Sequence, residues 1–397
     1  MLVAVKRYIE ILSFPEKFTR TLGAVEVLMR DTSGRPKCFV GNRSAVFRIR
    51  HEGRDKMLKC YTVPKPNLRR IYGGRCLRDE LLVPAAGGGA ATVDAVLCDW
   101  VEGDSLRGRI AAAAGDERAM KALSREFDRF AVELLDAEWA HGDLKPDNII
   151  VDAEGRMHAI DFDAMYRPDL AELQSDESGT AAFQHPLRTA SLYDKTMDDY
   201  PIALISTALH ALAADPSLGR RFDTDDNLLF DPSAIAAGRC EALTEVLNLF
   251  ARRGMGAEYR VAKLLESKVP ALNGLRRLMG LFCGERWPAE RADGRSLEAP
   301  QLECCDGRWG YVSGGQFVIA PLYDSGFEFS EGLAAVRLGG CFHYIDTCGR
   351  TVLSVGECEY AKPFRGGYAV VMRNGERTYV GKDGRPIYPP PMDLTGN

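Results

Sequence analysis

Apolar and polar positions follow three different rhythms along the chain. Up to about residue 98 the pattern predicts one short helix and then strands. Ala24–Arg30, Lys37–Val40, Ala45–Arg50 and Lys56–Thr62 are rich in β-formers, and Asp31-Thr32-Ser33-Gly34 and Glu52-Gly53 supply turns between them. A helix fits Leu68–Leu82. From residue 99 to about 285 the spacing becomes helical. Met120, Leu123, Phe127, Phe130, Leu134 and Leu135 lie on one face of a helix over Glu117–Ala137, and Leu243–Phe250 and Val261–Phe282 behave alike. One hairpin interrupts this region: Asn148–Val151, a turn at Asp152–Gly155, then Met157–Phe162. Residues 286–300 are polar and contain prolines, as a linker would. Beyond them the chain is β-rich, aromatic and punctuated by glycine, and it repeats. Gly310-Tyr311-Val312 returns as His343-Tyr344-Ile345 and Thr378-Tyr379-Val380, and Phe329–Val336 returns as Phe364–Val371. The expected organisation is a sheet-rich region over 1–98, a helical region over 99–285, a linker over 286–300 and β repeats over 301–397.

Composition narrows the class. Of 397 residues, 46% are hydrophobic and 27% charged, enough apolar matter for ordinary cores. The net charge of −5 is spread along the chain, which argues against a duplex nucleic-acid binder. Eleven cysteines without any C-x-x-C pair read as free thiols of a reducing cytosol rather than a zinc site or a disulfide framework. Met1–Phe14 lacks the long apolar core of a signal peptide. The longest apolar stretch, near Tyr200–Ala214, falls short of the ~20 residues that cross a bilayer. A soluble, cytoplasmic protein is expected.

The chemistry-bearing signal is His141-Gly142-Asp143-Leu144-Lys145-Pro146-Asp147-Asn148, followed by Asp161-Phe162-Asp163 at the end of the hairpin. The first run resembles the protein-kinase catalytic loop H-R-D-L-x-x-x-N, and the second occupies the place of D-F-G. The resemblance extends over about residues 36 to 285 and implies an α+β, bilobal protein-kinase-like fold using ATP and Mg²⁺. On that basis Asp143 would accept the proton of the acceptor hydroxyl and Lys145 would stabilise the transferring phosphoryl group. Asn148 and Asp161 would hold magnesium. Lys59, in Lys56-Met57-Leu58-Lys59, would contact the α- and β-phosphates, with Glu80 on the following helix as its carboxylate partner and Asp79 as the rival. Gly41 would sit in the phosphate-covering turn and Val46 against adenine. Asp99-Trp100-Val101 resembles the hinge, whose backbone at Asp99 and Val101 would meet adenine. Ser178–Pro186 resembles the end of an activation loop, and Asp198 the aspartate behind the catalytic loop.

More closely, Asp161-Phe162-Asp163-Ala164-Met165-Tyr166 and His185-Pro186-Leu187-Arg188 resemble bacterial kinase-like proteins with D-[FY]-D-[GA]-M-[YF] and H-P-x-R. Four departures stand out. Gly142 replaces the arginine that pairs with a phosphorylated activation loop, and Ala164–Ser178 is short, so activity is expected without phosphorylation there. Asp163 replaces glycine. Only Gly41 remains of a glycine-rich loop. Lys145 favours a protein hydroxyl as acceptor. A small-molecule kinase of the aminoglycoside or choline type and a nucleotide-binding pseudokinase scaffold are the alternatives.

Arg308-Trp309-Gly310-Tyr311-Val312, Ile319-Ala320-Pro321 and Phe329–Val336 resemble the WG repeat of bacterial proteins. The second copy has lost the WG pair, at Phe342-His343, and the third is truncated. The resemblance implies an all-β module that either binds a partner or a membrane surface, or stabilises the rest of the chain.

Overall fold

The structure, a computed structural model, describes residues 2–23, 25–84, 89–173, 178–224, 226–285 and 300–387. The linker expected at 286–300 falls almost wholly outside them.

Alternation builds the first sheet. Ser44–His51 pairs with Arg54–Tyr61, which pairs with Ala90–Asp99, which pairs with Cys76–Pro84, all antiparallel. Glu26–Val27 and Phe39–Val40 add to the edge at Ser44–His51. Phe47, Ile49, Leu58, Cys60 and Ala95 form one buried face. The expected N-terminal helix, Val5–Ser13, covers it with Tyr8, Ile11 and Leu12, and the Tyr8 hydroxyl donates to the Tyr61 carbonyl at 2.5 Å. Successive strand residues point to opposite faces, so the other face presents a cross-strand row of Val46, Lys59 and Val96.

The helix expected over Leu68–Leu82 is corrected by the structure. Helix ends at Tyr72, and Cys76–Pro84 is a strand. Gly73 takes φ 56°, a left-handed conformation that stops a helix, and Gly74 follows it. An irregularity between Leu77 and Leu81, with Asp79 at φ 50°, then turns Glu80 to the face covered by the N-terminal segment.

The helical region is built round Glu117–Asp136 and Asp199–Ala214. The expected apolar stripe of the first is buried at Met120, Leu123, Phe127, Phe130 and Leu134. Asp199–Ala214 is buried on nearly every side, which explains a mostly apolar sequence whose Ser206 and His210 both bond buried Asp128. The single helix expected over Val261–Phe282 is two, Gly256–Leu264 and Leu275–Phe282, separated by a stretch containing Pro270 and left-handed Gly274.

Beyond residue 300 lie three consecutive antiparallel sheets: Gln301–Tyr323, Ser325–Glu357 and Tyr360–Gly381. The repeat visible in the sequence is a repeat of contacts. The Tyr311 hydroxyl donates to the Phe327 carbonyl at 2.7 Å, and its ring lies 4.8 Å from Phe329. Tyr344 does the same with the Lys362 carbonyl at 2.8 Å and Phe364 at 4.7 Å. Gly310 is required by close packing: a Cβ there would lie 2.6 Å from the Ile319 carbonyl oxygen.

These sheets are docked on the helical region. Buried Arg260 donates to the Leu322 carbonyl at 2.6 Å and to Asp324 at 2.8 Å, and Gly339 meets Ala251 and Tyr259. His343 stands where the first copy has Gly310. Its fully buried ring lies against Gly254, and its Nδ1 bonds Ser354 Oγ at 2.8 Å. The loss of glycine in the second copy is thus a docking contact. Replacing Arg260 with Met should cost about 2–3 kcal/mol, the scale of charge-assisted bonds lost from a buried site, read as a lower unfolding midpoint. Burial also holds the His343 imidazole below its ordinary pKa, so the docked state carries it neutral. A depressed folded pKa means that the undocked chain takes the extra proton, so docking is complete above about pH 6.5 and weakens as pH falls below it. Amide protection factors in Glu241–Arg253, corrected for the intrinsic pH dependence of exchange, should be lower at pH 5.5 than at pH 7.5, and His343→Gln should remove that difference.

Candidate functional site

His141–Asn148 leaves the helix Glu117–Asp136 and enters the hairpin Ile149–Val151/Met157–Ala159. Three groups fix its backbone. The buried Asp198 carboxylate accepts the amides of His141 at 2.5 Å and Gly142 at 2.9 Å. The His141 ring bonds the Ile160 carbonyl through Nε2 at 2.7 Å and receives the Asp143 amide on Nδ1 at 3.2 Å. Ala140 and Tyr166 exchange two backbone bonds. Gly142 is left-handed, φ 81°, and a Cβ there would stand 2.2 Å from the Ala164 carbonyl oxygen. The missing arginine therefore has a steric reason.

Asp143 is held on both oxygens. The Thr180 amide donates to Oδ1 at 2.6 Å, and Asn148 Nδ2 lies 3.4 Å from Oδ2. The Asn148 amide also donates to the Asp143 carbonyl at 2.9 Å, which turns its own oxygen away from that bond. Lys145 Nζ lies 3.6 Å from the Asp143 carboxylate and donates to Thr180 Oγ1 at 2.9 Å.

A second cluster forms where the hairpin ends. Asp161 has φ 66°, costly for a residue with a side chain and typical of positions held for function. Lys59 reaches down from the sheet to Asp161 at 2.5 Å and Asp163 at 2.8 Å. Burial works to lower the lysine's pKa, but the two carboxylates outweigh it and hold it above the ordinary value. Asp163 also accepts the hydroxyls of Tyr61 at 2.7 Å and Tyr72 at 2.6 Å. Burial pushes its pKa up; Lys59 and the two phenols prevail and hold it low.

The hinge-like strand is tied to the sheet rather than free. Asp99 pairs with Lys56 at 2.5 Å, the Trp100 amide donates to the Asp55 carbonyl at 3.1 Å, and Glu102 pairs with Arg48 at 2.7 Å. The Asp99 carboxylate is thus paired on the exposed face of the strand. Val101 follows it, half-buried, and Phe39 stacks on Trp100 at 6.0 Å. Gly103, at φ 147°, passes within 2.3 Å (measured from a Cβ it does not have) of the Val151 carbonyl, so glycine is obligatory there.

Thus the structure brings Lys59 beside Asp161, and Asp143 beside Lys145 and Asn148. Val46 is directly opposite Lys59 in the sheet. Glu80 is corrected: its carboxylate accepts the amides of Arg20, Thr21 and Leu22 at 2.8–3.2 Å and is remote from Lys59's contacts. It caps the N-terminal loop because the chain is a strand there. Asp79, the rival, bonds Thr92 Oγ1 at 2.7 Å. Gly41 closes a hairpin turn by donating to the Ser44 carbonyl at 2.9 Å, and a Cβ would meet only Ser44 Oγ at 3.5 Å, so nothing in the turn requires glycine. Arg188 of the His185–Arg188 run bonds Gln184 and, at 3.4 Å, Met197 Sδ.

Sequence reasoning treated Asp163 only as a departure and passed over Tyr61, Tyr72 and Thr180. A signal existed for Tyr61: it is two residues from Lys59 on one strand, hence on the same face. Surface hollows of about 480 Å³ beside Leu123 and Val151 and about 740 Å³ beside Asp136 and Arg277 lie away from these residues. Among the described residues no helix is long and apolar enough to cross a membrane, and no three His, Cys, Asp or Glu are grouped to hold a metal ion.

No curated protein matches the chain. Within the β-rich region, residues 309–340 and 344–376 each match the model of the WG containing repeat.

Proposed function

We propose that the chain is an ATP- and Mg²⁺-dependent phosphotransferase of the protein-kinase type, acting on a protein hydroxyl. In this reading the Lys59-bearing sheet (1–98) is the smaller lobe and the helical region (99–285) the larger. The observation that carries it is the convergence of Lys59 on Asp161, 102 positions apart in sequence, while Asp143 is oriented by Asn148, Lys145 and Thr180.

Each group suits a share of phosphoryl transfer, which needs positioning and charge stabilisation more than covalent chemistry. Asp143, fixed on both oxygens, takes the acceptor's proton. Lys145 lies close enough to stabilise charge on the transferring group. Lys59 is cationic and buried at 2% exposure, so it meets phosphate oxygens with little competition from water. Magnesium fits the donor set: Asp161 and the amide oxygen of Asn148 are hard ligands too few for a protein cage, as is usual where phosphates and water complete the shell. When bound, the ion would screen phosphate charge. Thr180 bridges base and lysine from the segment beside the acceptor's place, which favours an acceptor presented on a protein chain.

Incubation with γ-labelled ATP and Mg²⁺, with the chain itself and a generic basic protein as acceptors, should yield labelled protein. Metal-dependent ATP binding without label in any lysate-wide acceptor screen would favour a scaffold, a reading supported by the turn at Gly41 and the exposed Phe39 and Val40 above it. Failure to bind MgATP at all would defeat both.

A further inference from the structure

We infer that Asp163 is the positioning residue for Lys59, taking the part expected of a glutamate on a separate helix, and that this fixes the phosphate-binding lysine and the metal-binding aspartate to one element. The inference rests on the phosphotransferase reading above.

Lys59 is buried and needs an anion that stays when Asp161 turns to a metal. Glu80 is committed to the amides of residues 20–22. Asp163 is the carboxylate that remains, at 2.8 Å. It is itself steered: Tyr61, on the strand of Lys59, and Tyr72, at the end of the helix Leu68–Tyr72, both donate to its Oδ1, which leaves Oδ2 for the lysine. The chain around Asp163 is also pinned to that helix. Arg167 donates to the Ile71 and Arg70 carbonyls, each at 3.0 Å, and Arg70 returns a bond to the Asp169 carbonyl at 3.1 Å. Tyr61, Leu68, Ile71 and Tyr72 pack with Phe162, Met165 and Leu170 in one apolar cluster.

The consequence concerns regulation. A lysine anchored by a glutamate on its own helix can be switched off by swinging that helix. Here the segment after residue 72 is a strand of the sheet, and the anchor lies two residues from Asp161, so the two groups are assembled together or lost together. Control by displacement of a glutamate-bearing helix has no element to act on among the described residues.

The test uses the full chain and its labelled-phosphate transfer. Asp163→Asn keeps the shape and removes the charge. It should raise the KM for MgATP and lower kcat/KM by about 10–100-fold, the range for a misplaced group near the chemistry. kcat should fall far less than KM rises, the split expected of a group that holds the phosphate-binding lysine in place rather than one acting only in the transition state. Asp163→Glu, which keeps the charge, should recover most of the loss. Tyr61→Phe with Tyr72→Phe leaves the charge but not its aim, so KM should rise less; this pair decides the matter if Asp163→Asn does not fold. Wild-type KM in Asp163→Asn, or wild-type KM in the double variant, would overturn the inference. Lys59→Ala separates the two levels. If it loses transfer while Asp163→Asn keeps it, only this inference falls; if it too transfers normally, the phosphotransferase reading falls with it.

Discussion

Asn at position 143 should lower phosphate transfer from MgATP by about 10²–10⁴-fold, the contribution typical of a positioned general base. The substitution is close to isosteric, and the contacts that shape the loop survive it. Thr180's amide can donate to the new amide oxygen as it does to Oδ1, at 2.6 Å. Asn148 still donates to the backbone carbonyl of residue 143, at 2.9 Å. Asp198 still receives the amides of His141 and Gly142. What disappears is the proton acceptor, the 3.4 Å contact of Asn148 Nδ2 with Oδ2, and the negative charge 3.6 Å from Lys145. Because Lys59, Asp161 and Asp163 are untouched, the affinity for MgATP should stay near its wild-type value, and the loss should lie in the single-turnover rate. A group that acts only in the transition state has that signature. A variant that transfers phosphate at the wild-type rate would remove Asp143 from the chemistry.

What could be read from the sequence was what is written locally. The strands around Lys59 alternate over many residues, Glu117–Asp136 carries a clean apolar stripe, and the loop from His141 to Asn148 places its groups within one turn of chain. The errors arose where a single backbone feature overrides a pattern. Leu68–Leu82 contains apolar residues at helical spacing, yet Gly73 and Gly74 stop the helix, and the residues after them alternate as a strand. That one break moved Glu80 from Lys59 to the amides of residues 20–22. The anchor that replaced it was hidden for a different reason. Asp163, Tyr61 and Tyr72 meet only in three dimensions, and no periodicity reports a contact between residues 91 and 102 positions apart. The repeats were legible because the same tyrosine-to-carbonyl bond recurs with the same side chains. Their docking was not, since Arg260 and Asp324 look like ordinary surface charges in sequence.

Gly142→Ala should destabilise the chain by about 3 kcal/mol or more, from a left-handed backbone (about 1–3 kcal/mol) and overpacking (about 1–3 kcal/mol) together. Its Cβ would stand 2.2 Å from the Ala164 carbonyl oxygen and 2.8 Å from the carbon, and both are backbone atoms that cannot rotate aside. Nor can the strands slide apart. Ala140 and Tyr166 hold the same two segments together by paired backbone bonds at 3.0 and 2.9 Å, and Asp198 grips the amide of Gly142 itself. Gly155 supplies the control: its φ of 86° is as left-handed, but nothing lies within 4 Å of its Cβ direction. Gly155→Ala should therefore cost only the conformational part, about 1–3 kcal/mol. The difference between the two unfolding free energies measures the close approach of residues 142 and 164. It also bears on regulation, because an arginine at 142 meets the same obstacle at its first side-chain atom. Gly142→Arg should lower stability and transfer together, and should not create a phosphate-dependent switch. Equal costs for Gly142→Ala and Gly155→Ala would mean that the loop has room, and the steric account of the missing arginine would fail.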